Sequence, residues 1–437
     1  WQDGLYHGNG TLTLADGTRY QGNFSAGNRA GSGAQLSDDG RYEGQWQNDL
    51  PHGDGTLEGA DGSVYSGQYQ QGDRHGSGRF ESATGSVYEG DWINDEPSGF
   101  GVLLEADGGR REGQWLAGSS NGYGTFEHPA GLRYSGNWKD DQRAGFGAEE
   151  RPDGSRYEGD WLAGKPHGKG TATYADGSSH SGLWLKGQPT GAGTRDDPAG
   201  YTLTGEWQHG ALTSGTLTLT NASQNASFTG ELLNHVGGPW TAAAQQWLKD
   251  HSTSGVAAAA WLLAVPLLND RERPAQAWLE QAAAGNIARA QYELGKLLLD
   301  HDVRAAVQWL NKAANSSPHC GGAAHFLLGS LYHFGELLPQ DEDQAESHYV
   351  AAIERGSLMA RRNLSVMLAT TSISYVRDTK RAIALLEPVA NLYQRPGMLD
   401  ALAVVYHASG RFADAVQTQQ NALAALAAQR ASAEHAG

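Results

Sequence analysis

A step of 23 residues, repeated without a slip from Gly44 to Gly205, constrains the first half of this chain more than any other feature. Glycines on this step, and Gly22 just before it, close an aromatic-x-Gly signature at Tyr20/Gly22, Tyr42/Gly44, Tyr65/Gly67, Tyr88/Gly90, Tyr134/Gly136 and Tyr157/Gly159. Degenerate copies stand at Gly113, Gly182, Gly205 and Gly230. A Gly-x-Gly pair follows in phase, from Gly31/Gly33 to Gly191/Gly193. A fixed period of this length means a supersecondary unit that buries its apolar face only against its neighbours.

Each unit reads as a β-hairpin. Thr11 to Leu14 alternates as a half-buried strand does, Asp16-Gly17 is a two-residue turn signal, and Arg19 to Phe24 is the return strand. In the return strand the first aromatic, the glycine and a second aromatic stand two residues apart, hence on one face. The glycine leaves room for a neighbouring ring, and the Gly-x-Gly is expected to turn the chain sharply between hairpins. Ten such hairpins predict an antiparallel single-layer sheet about 95 Å long before twist.

This pattern resembles the MORN repeat family over residues 1–236. Arg111, His180 and Leu203 depart from it, because they replace the first aromatic, and the last copy stretches to a spacing of 25. Trp1-Gln2-Asp3-Gly4 aligns with Trp46-Gln47-Asn48-Asp49, the middle of a unit, so the natural protein is expected to extend upstream and to have carried a targeting segment there.

The candidate binding surface is the aromatic stripe itself: Tyr42, Trp46, Tyr65, Tyr69, Tyr88, Trp92, Trp115, Tyr134, Trp138, Tyr157, Trp161, Trp184 and Trp207. Two readings stay open. The rings pack on one another as the core of a sheet, or part of the stripe is an open groove for a peptide, a glycan or a second copy of the array.

From Trp240 the periodicity turns helical. Ala277-Trp278-Leu279 with Leu294-Gly295, Ala306 to Leu310 with Leu328-Gly329 to Tyr332, and Ala345 with Tyr349 and Gly356 repeat one pattern. That pattern resembles Sel-one-like repeats, relatives of the tetratricopeptide repeat, and Leu402 to Leu423 is closer to a tetratricopeptide unit. The expected order is a hairpin array over 1–236, a helical connector over 237–269, an α-solenoid over 270–425 and a tail over 426–437. The fold class is thus multidomain, β then α.

The net charge of −17 lies mostly in the array. Residues 1–236 hold 31 Asp and Glu against 16 Lys and Arg, which disfavours nucleic acid and anionic lipid as partners. A single cysteine, Cys320, excludes an intrachain disulfide and a cysteine-built metal cluster. The longest apolar run, Val256 to Leu268, is interrupted by Pro266 and too short to span a bilayer.

Little in the sequence reads as chemistry. His7, His52, His75 and His167 each precede a Gly-x-Gly, but equivalent positions of adjacent hairpins lie about 9–10 Å apart, too far to share one zinc. His319-Cys320 are neighbours whose side chains point apart, with no orienting carboxylate nearby. Asp341, Glu342 and Asp343 read as a solvated helix start. The Asp-Gly pairs lack calcium-loop spacing, and no phosphate-binding Gly-x-x-x-x-Gly-Lys stretch occurs. No catalytic residue, cofactor or metal is expected.

The expected function is a scaffold or adaptor that binds protein partners through the helical repeats, the array, or both. Homodimerisation through the array, and stacking of cell-wall glycan on the stripe, are the alternative uses of the rings; membrane lipid ranks third, and an enzyme last. Within the families resembled, Sel-one-like repeats assemble complexes, often at the bacterial cell envelope, so a periplasmic site is expected, with the cytoplasm as alternative.

Overall fold

A computed structural model describes residues 1–220, 225–230, 232–233, 240–268, 275–316, 321–374 and 376–434. Among the described residues, twenty strands, from Gly8–Thr13 to Asn225–Gly230, form one antiparallel sheet. Eleven α-helices follow, from Ala242–Thr253 to Phe412–Glu434. This is the expected order of an open hairpin sheet and a helical solenoid.

Within a hairpin the register places glycine opposite glycine. Gly22 faces Gly33, which faces Gly44, which faces Gly55. The tyrosine of the return strand lies across that bare patch. A Cβ built on Gly33 would stand 2.3 Å from Tyr20 Oη, and Gly55, Gly78, Gly101 and Gly147 stand in the same relation to Tyr42, Tyr65, Tyr88 and Tyr134. The glycine is therefore required by space, as the sequence suggested.

Its partner in Gly-x-Gly does something the sequence reading misplaced. Gly31, Gly53, Gly76 and Gly99 sit in mid-strand at φ between +60° and +71°, not at a turn. Each lies beside a slip of register, such as Gly44/Trp46 or Gly67/Tyr69, so the motif makes a β-bulge. The bulge bends the strand and raises local twist while pairing continues on both sides.

The turns are divided differently from the expectation. At Leu14–Thr18 and Gly59–Ser63 the Asp-Gly pair closes a three-residue loop, with glycine in the left-handed position. The Asp16 carboxylate accepts from Thr18 N at 2.9 Å, and Asp61 does the same from Ser63 N. The two-residue turns lie at the other end of the hairpins, at Asn48-Asp49, Asn94-Asp95 and Asp140-Asp141. Both residues of each have positive φ, the I′ geometry that matches strand twist.

The molecule divides into two compact units, residues 1–147 with 162–164, and residues 148–161 with 165–437. In the second, the last hairpins and the helices share cores. Leu217, Leu219 and Trp207 pack with Leu248, Leu262 and Leu263, and Ala199 packs with Trp261, Leu279 and Leu294. Along the solenoid small residues let helices approach. Gly295 faces Leu310 and Gly329 faces the Tyr349 ring, each closer than a Cβ would tolerate. Within the stretch read as α-solenoid, residues 361–401 carry the helix Thr379–Tyr393, with Pro388 inside it, and the start of Pro396–Ala408.

The glycine seats generate a test. Gly78→Ala is expected to destabilise the protein by about 1–3 kcal/mol in chemical denaturation, because the ring it meets is itself locked by neighbours. Ser77→Ala, one residue away on an exposed position, is expected to stay within about 0.5 kcal/mol of the parent.

Candidate interaction surfaces

The thirteen rings of the stripe do not form an open groove. Every one of Tyr42, Trp46, Tyr65, Tyr69, Tyr88, Trp92, Trp115, Tyr134, Trp138, Tyr157, Trp161, Trp184 and Trp207 is at most 9% exposed. Successive rings meet edge to face. Tyr20 meets Trp46, Tyr42 meets Tyr69 and Tyr65 meets Trp92, each with centroids 5.2 Å apart. Their polar atoms are used inward. Tyr42 Oη donates to Gln45 O at 2.9 Å, and Trp46 Nε1 donates to Gly33 O at 3.1 Å. The same pair of bonds recurs at Tyr65, Tyr88 and Tyr134, and at Trp92, Trp115, Trp184 and Trp207. Stacking of a glycan on this stripe needs ring faces that the packing has already occupied.

Arginines complete the cover. Arg29 lies 4.3 Å from the Trp46 ring centroid, Arg74 lies 4.4 Å from Trp92, and Arg111 lies 4.9 Å from Trp138. Each is held from the next turn along the array. Asp49 pairs with Arg29 at 3.2 Å, Asp95 with Arg74 at 3.1 Å and Asp141 with Arg111 at 2.8 Å. A sheet with no second layer over these rings thus closes them with guanidinium planes. The sequence shows these arginines, but their aspartates stand 20 or more residues away.

Where the tyrosine is missing, the seat is refilled. In one copy the Trp138 ring comes up to the bare Gly124, and Arg111 lies over that ring. His180 takes the seat in another, fully buried, edge-on to Trp184 and Trp207 at 5.4 and 4.7 Å. Burial, with Arg195 nearby, pushes the His180 imidazole down to about 4. A second set of histidines lies between helices Gly321–Phe334 and Glu342–Glu354. His325 Nδ1 and His348 Nδ1 are 3.0 Å apart, and Tyr332 stacks on His348. Burial, then Arg355 and His348, lower His325 to about 4, and burial lowers His348 and His333.

The exposed aromatics lie on the other face. The residue between the two glycines alternates away from the rings, and in three successive copies it is Phe100, Tyr123 and Phe146. They are 56%, 58% and 57% exposed. The residue after the second aromatic points the same way, and Ile93, Leu116 and Leu162, with Lys139 between the last two, lie parallel to it, the three apolar ones at 51–62% exposure. Beside Phe100 this face is concave, with a groove of about 840 Å³ over Val87, Val102 and Leu104, between Glu89, Asp91, Arg79 and Arg110. The backbone under the aromatic row is fixed by side chains. Asp91 Oδ2 accepts from Phe100 N at 3.0 Å, and Gln114 Oε1 accepts from Tyr123 N at 3.1 Å. The sequence reading passed over this row because it read the Gly-x-Gly as a turn; period-two alternation was the signal that would have found it.

A second cleft, of about 590 Å³, lies in the helical unit. Trp261, Tyr292, Phe326 and Met359 line it on the helical side, and Asp153, Ala175 and Asp176 on the side of the hairpin turns. Arg289 ties the two together. It ion-pairs with Asp176, and with the buried Asp197 at 3.1 Å, whose carboxylate also accepts from Tyr201 Oη at 3.0 Å. At Gly356, with φ +83°, a Cβ would stand 2.5 Å from Asp153 Cα, so helix turn and hairpin turn touch there.

His7, His52, His75 and His167 do not gather; among the described residues no three His, Cys, Asp or Glu side chains are grouped to hold a metal. Asp341 caps the helix that starts at Glu342, accepting from Gln344 N at 3.0 Å, with Glu342 and Asp343 in its first turn. His319 and Cys320 lie outside the described residues. Among the described residues no helix is long and apolar enough to cross a membrane.

Comparison with known proteins follows this division. The MORN repeat family matches residues 1–19, 20–40, 42–64, 65–87, 88–110, 112–133, 134–156 and 157–179. The Sel1 repeat family matches residues 265–287, 288–317 and 322–357. Among solved structures, a Sel1 repeat protein from Oxalobacter formigenes is 21% identical, over 42% of this chain and 79% of its own, with a TM-score of 0.34. A protective antigen present in uropathogenic Escherichia coli strains, displaying an SLR fold, is 18% identical over 41% of this chain and 40% of its own, with a TM-score of 0.36. No curated protein matches the chain.

Two tests follow from these packings. Arg74→Ala and Asp95→Ala are each expected to cost about 1 kcal/mol, and the double variant less than their sum, since both remove one lid. For His180 and His325 the folded value lies below the unfolded value of about 6.5, so the unfolded chain binds more protons between the two. Stability is then full above about pH 6.5 and falls as the pH drops toward 4. Melting scans at pH 7.5 and 5 should show that fall, and His180→Tyr should reduce it.

Proposed function

We propose that this chain, built of MORN repeats across residues 1–179 and Sel1 repeats at 265–357, is a non-catalytic scaffold that holds protein partners at the bacterial cell envelope. Repeats of both kinds are typical of protein–protein interaction scaffolds and are generally non-catalytic. The observation that carries the reading is the cleft of the helical unit. It presents three large apolar side chains, Tyr292, Phe326 and Met359, over the buried Trp261 and beside Arg289 and Arg355. Aromatic and methionine anchors with arginine at the rim are the composition of a protein-binding hot spot.

The framework around the cleft supports the same reading. Arg289, Asp176 and Asp197 fix the helices to the hairpin turns, so the anchors are held on rigid elements before any partner arrives. Glycan and lipid have no comparable support. The ring stripe is buried, and the array carries an excess of acid.

The test is site-specific crosslinking in the cells that make the protein, with a photoreactive residue in place of Met359. A discrete adduct is expected, lost in Tyr292→Ala/Phe326→Ala, in the periplasmic or membrane fraction. No adduct above the ultraviolet-free control, or an adduct indifferent to the double variant, would sink the cleft as the docking site. An adduct found in the cytoplasm would remove the envelope location.

A further inference from the structure

We infer that the array face opposite the rings is a docking site for an amphipathic helix of a partner protein, apolar along one side and rich in Lys and Arg beside it. The inference stands on the array and does not require the helical cleft to bind anything.

The face is apolar on a scale that calls for a partner. Phe100, Tyr123 and Phe146 form one row, and Ile93, Leu116 and Leu162 lie in a second that Lys139 interrupts, all six apolar residues about half exposed or more. With side chains of this size, the rows present on the order of 600 Å² of apolar surface, at or above the largest patch of an ordinary monomer. That approaches the roughly 800 Å² that each partner contributes to a standard interface.

Spacing selects a helix. Successive residues of the aromatic row, Phe100, Tyr123 and Phe146, stand one hairpin apart, two strand spacings, or about 9.6 Å. An extended chain repeats its side chains on one face at about 6.6 or 13 Å and misses that interval. A helix lying across the strands brings residues i and i+7 about 10.5 Å apart, and so sets one apolar side chain near each row residue in turn. The groove beside Phe100 shows that the face is concave where such a helix would begin.

Charge selects among the occupants. Residues 1–147 hold 21 Asp and Glu against 10 Lys and Arg, a net of −11; on this face Glu89 and Asp91 line the groove together with Arg79 and Arg110, and Arg110 pairs with Glu112 at 2.6 Å. A second copy would bring the same negative charge against it, and anionic lipid would be repelled likewise. A basic amphipathic segment satisfies both the apolar rows and the acidic surround.

The experiment measures fluorescence anisotropy of a labelled synthetic helix against the full chain. The probe is about 21 residues long, about 31 Å, with Leu on one face and Lys on the other. Controls are a scrambled peptide and a twin with Glu for Lys. Saturable binding of the basic helix alone is expected, weakened several-fold by added salt. Phe100→Ala/Tyr123→Ala/Phe146→Ala should weaken it by about tenfold or more while the circular dichroism melt stays unchanged. Equal binding by the scrambled or acidic peptide, or full binding by the triple variant, would overturn the inference. So would loss of binding in Tyr292→Ala/Phe326→Ala but not in the array variant, which would move the site to the helices. Anionic vesicles, peptidoglycan and sedimentation of the chain alone run in parallel. If the triple variant changes one of these and leaves the peptide untouched, the face has a different occupant.

Discussion

The structure of the array depends on one contact, a tyrosine ring lying over two glycines that face each other across a strand pair. Tyr42 over Gly44 and Gly55 shows what it does. The bare backbone lets the ring lie flat enough for its hydroxyl to reach the carbonyl of Gln45. The next hairpin then delivers Tyr69 edge-on to the exposed side of that ring. Each hairpin therefore completes its neighbour's core and is completed by the one after, so no unit has a core of its own.

Two consequences follow for the faces of the sheet. Rings and arginines, the latter steered by aspartates of the next turn, use up one face. The bulge glycines bend the strands and keep the register while the other face receives whatever stands between the glycines. That position is not needed for the fold. It is Ser32, Asp54 and Ser77 in some copies and Phe100, Tyr123 and Phe146 in others, so it is the place where the array can vary in what it meets. The refilling of a tyrosine seat by His180 shows the opposite behaviour, since an emptied seat would unseat both neighbours.

In the second unit the joints are ionic and close-packed. Arg289 holds Asp176 and the buried Asp197, and Ala199 is built into a helical core. Breaking such a joint leaves a buried carboxylate without its counter-charge, which costs far more than the pair contributes when intact. The cleft lined by Tyr292 and Phe326 owes its shape to that constraint, because the hairpin turns form one of its walls.

Much of this was legible in the residues. The period, the ring–glycine–ring alternation and the small residues of the helical repeats fix hairpins, glycine seats and helix pairs, because each depends on spacing along a single strand or helix. The role of the Gly-x-Gly was not legible, since a glycine at positive φ serves a turn and a bulge equally well and only cross-strand register separates them. Nor was the site. Alternation sorts Trp46 and Phe100 to opposite faces, but which face is closed depends on Arg29, Arg74 and Arg111 meeting aspartates a hairpin or more away. That closure is a property of neighbouring hairpins in space, and no single repeat contains it.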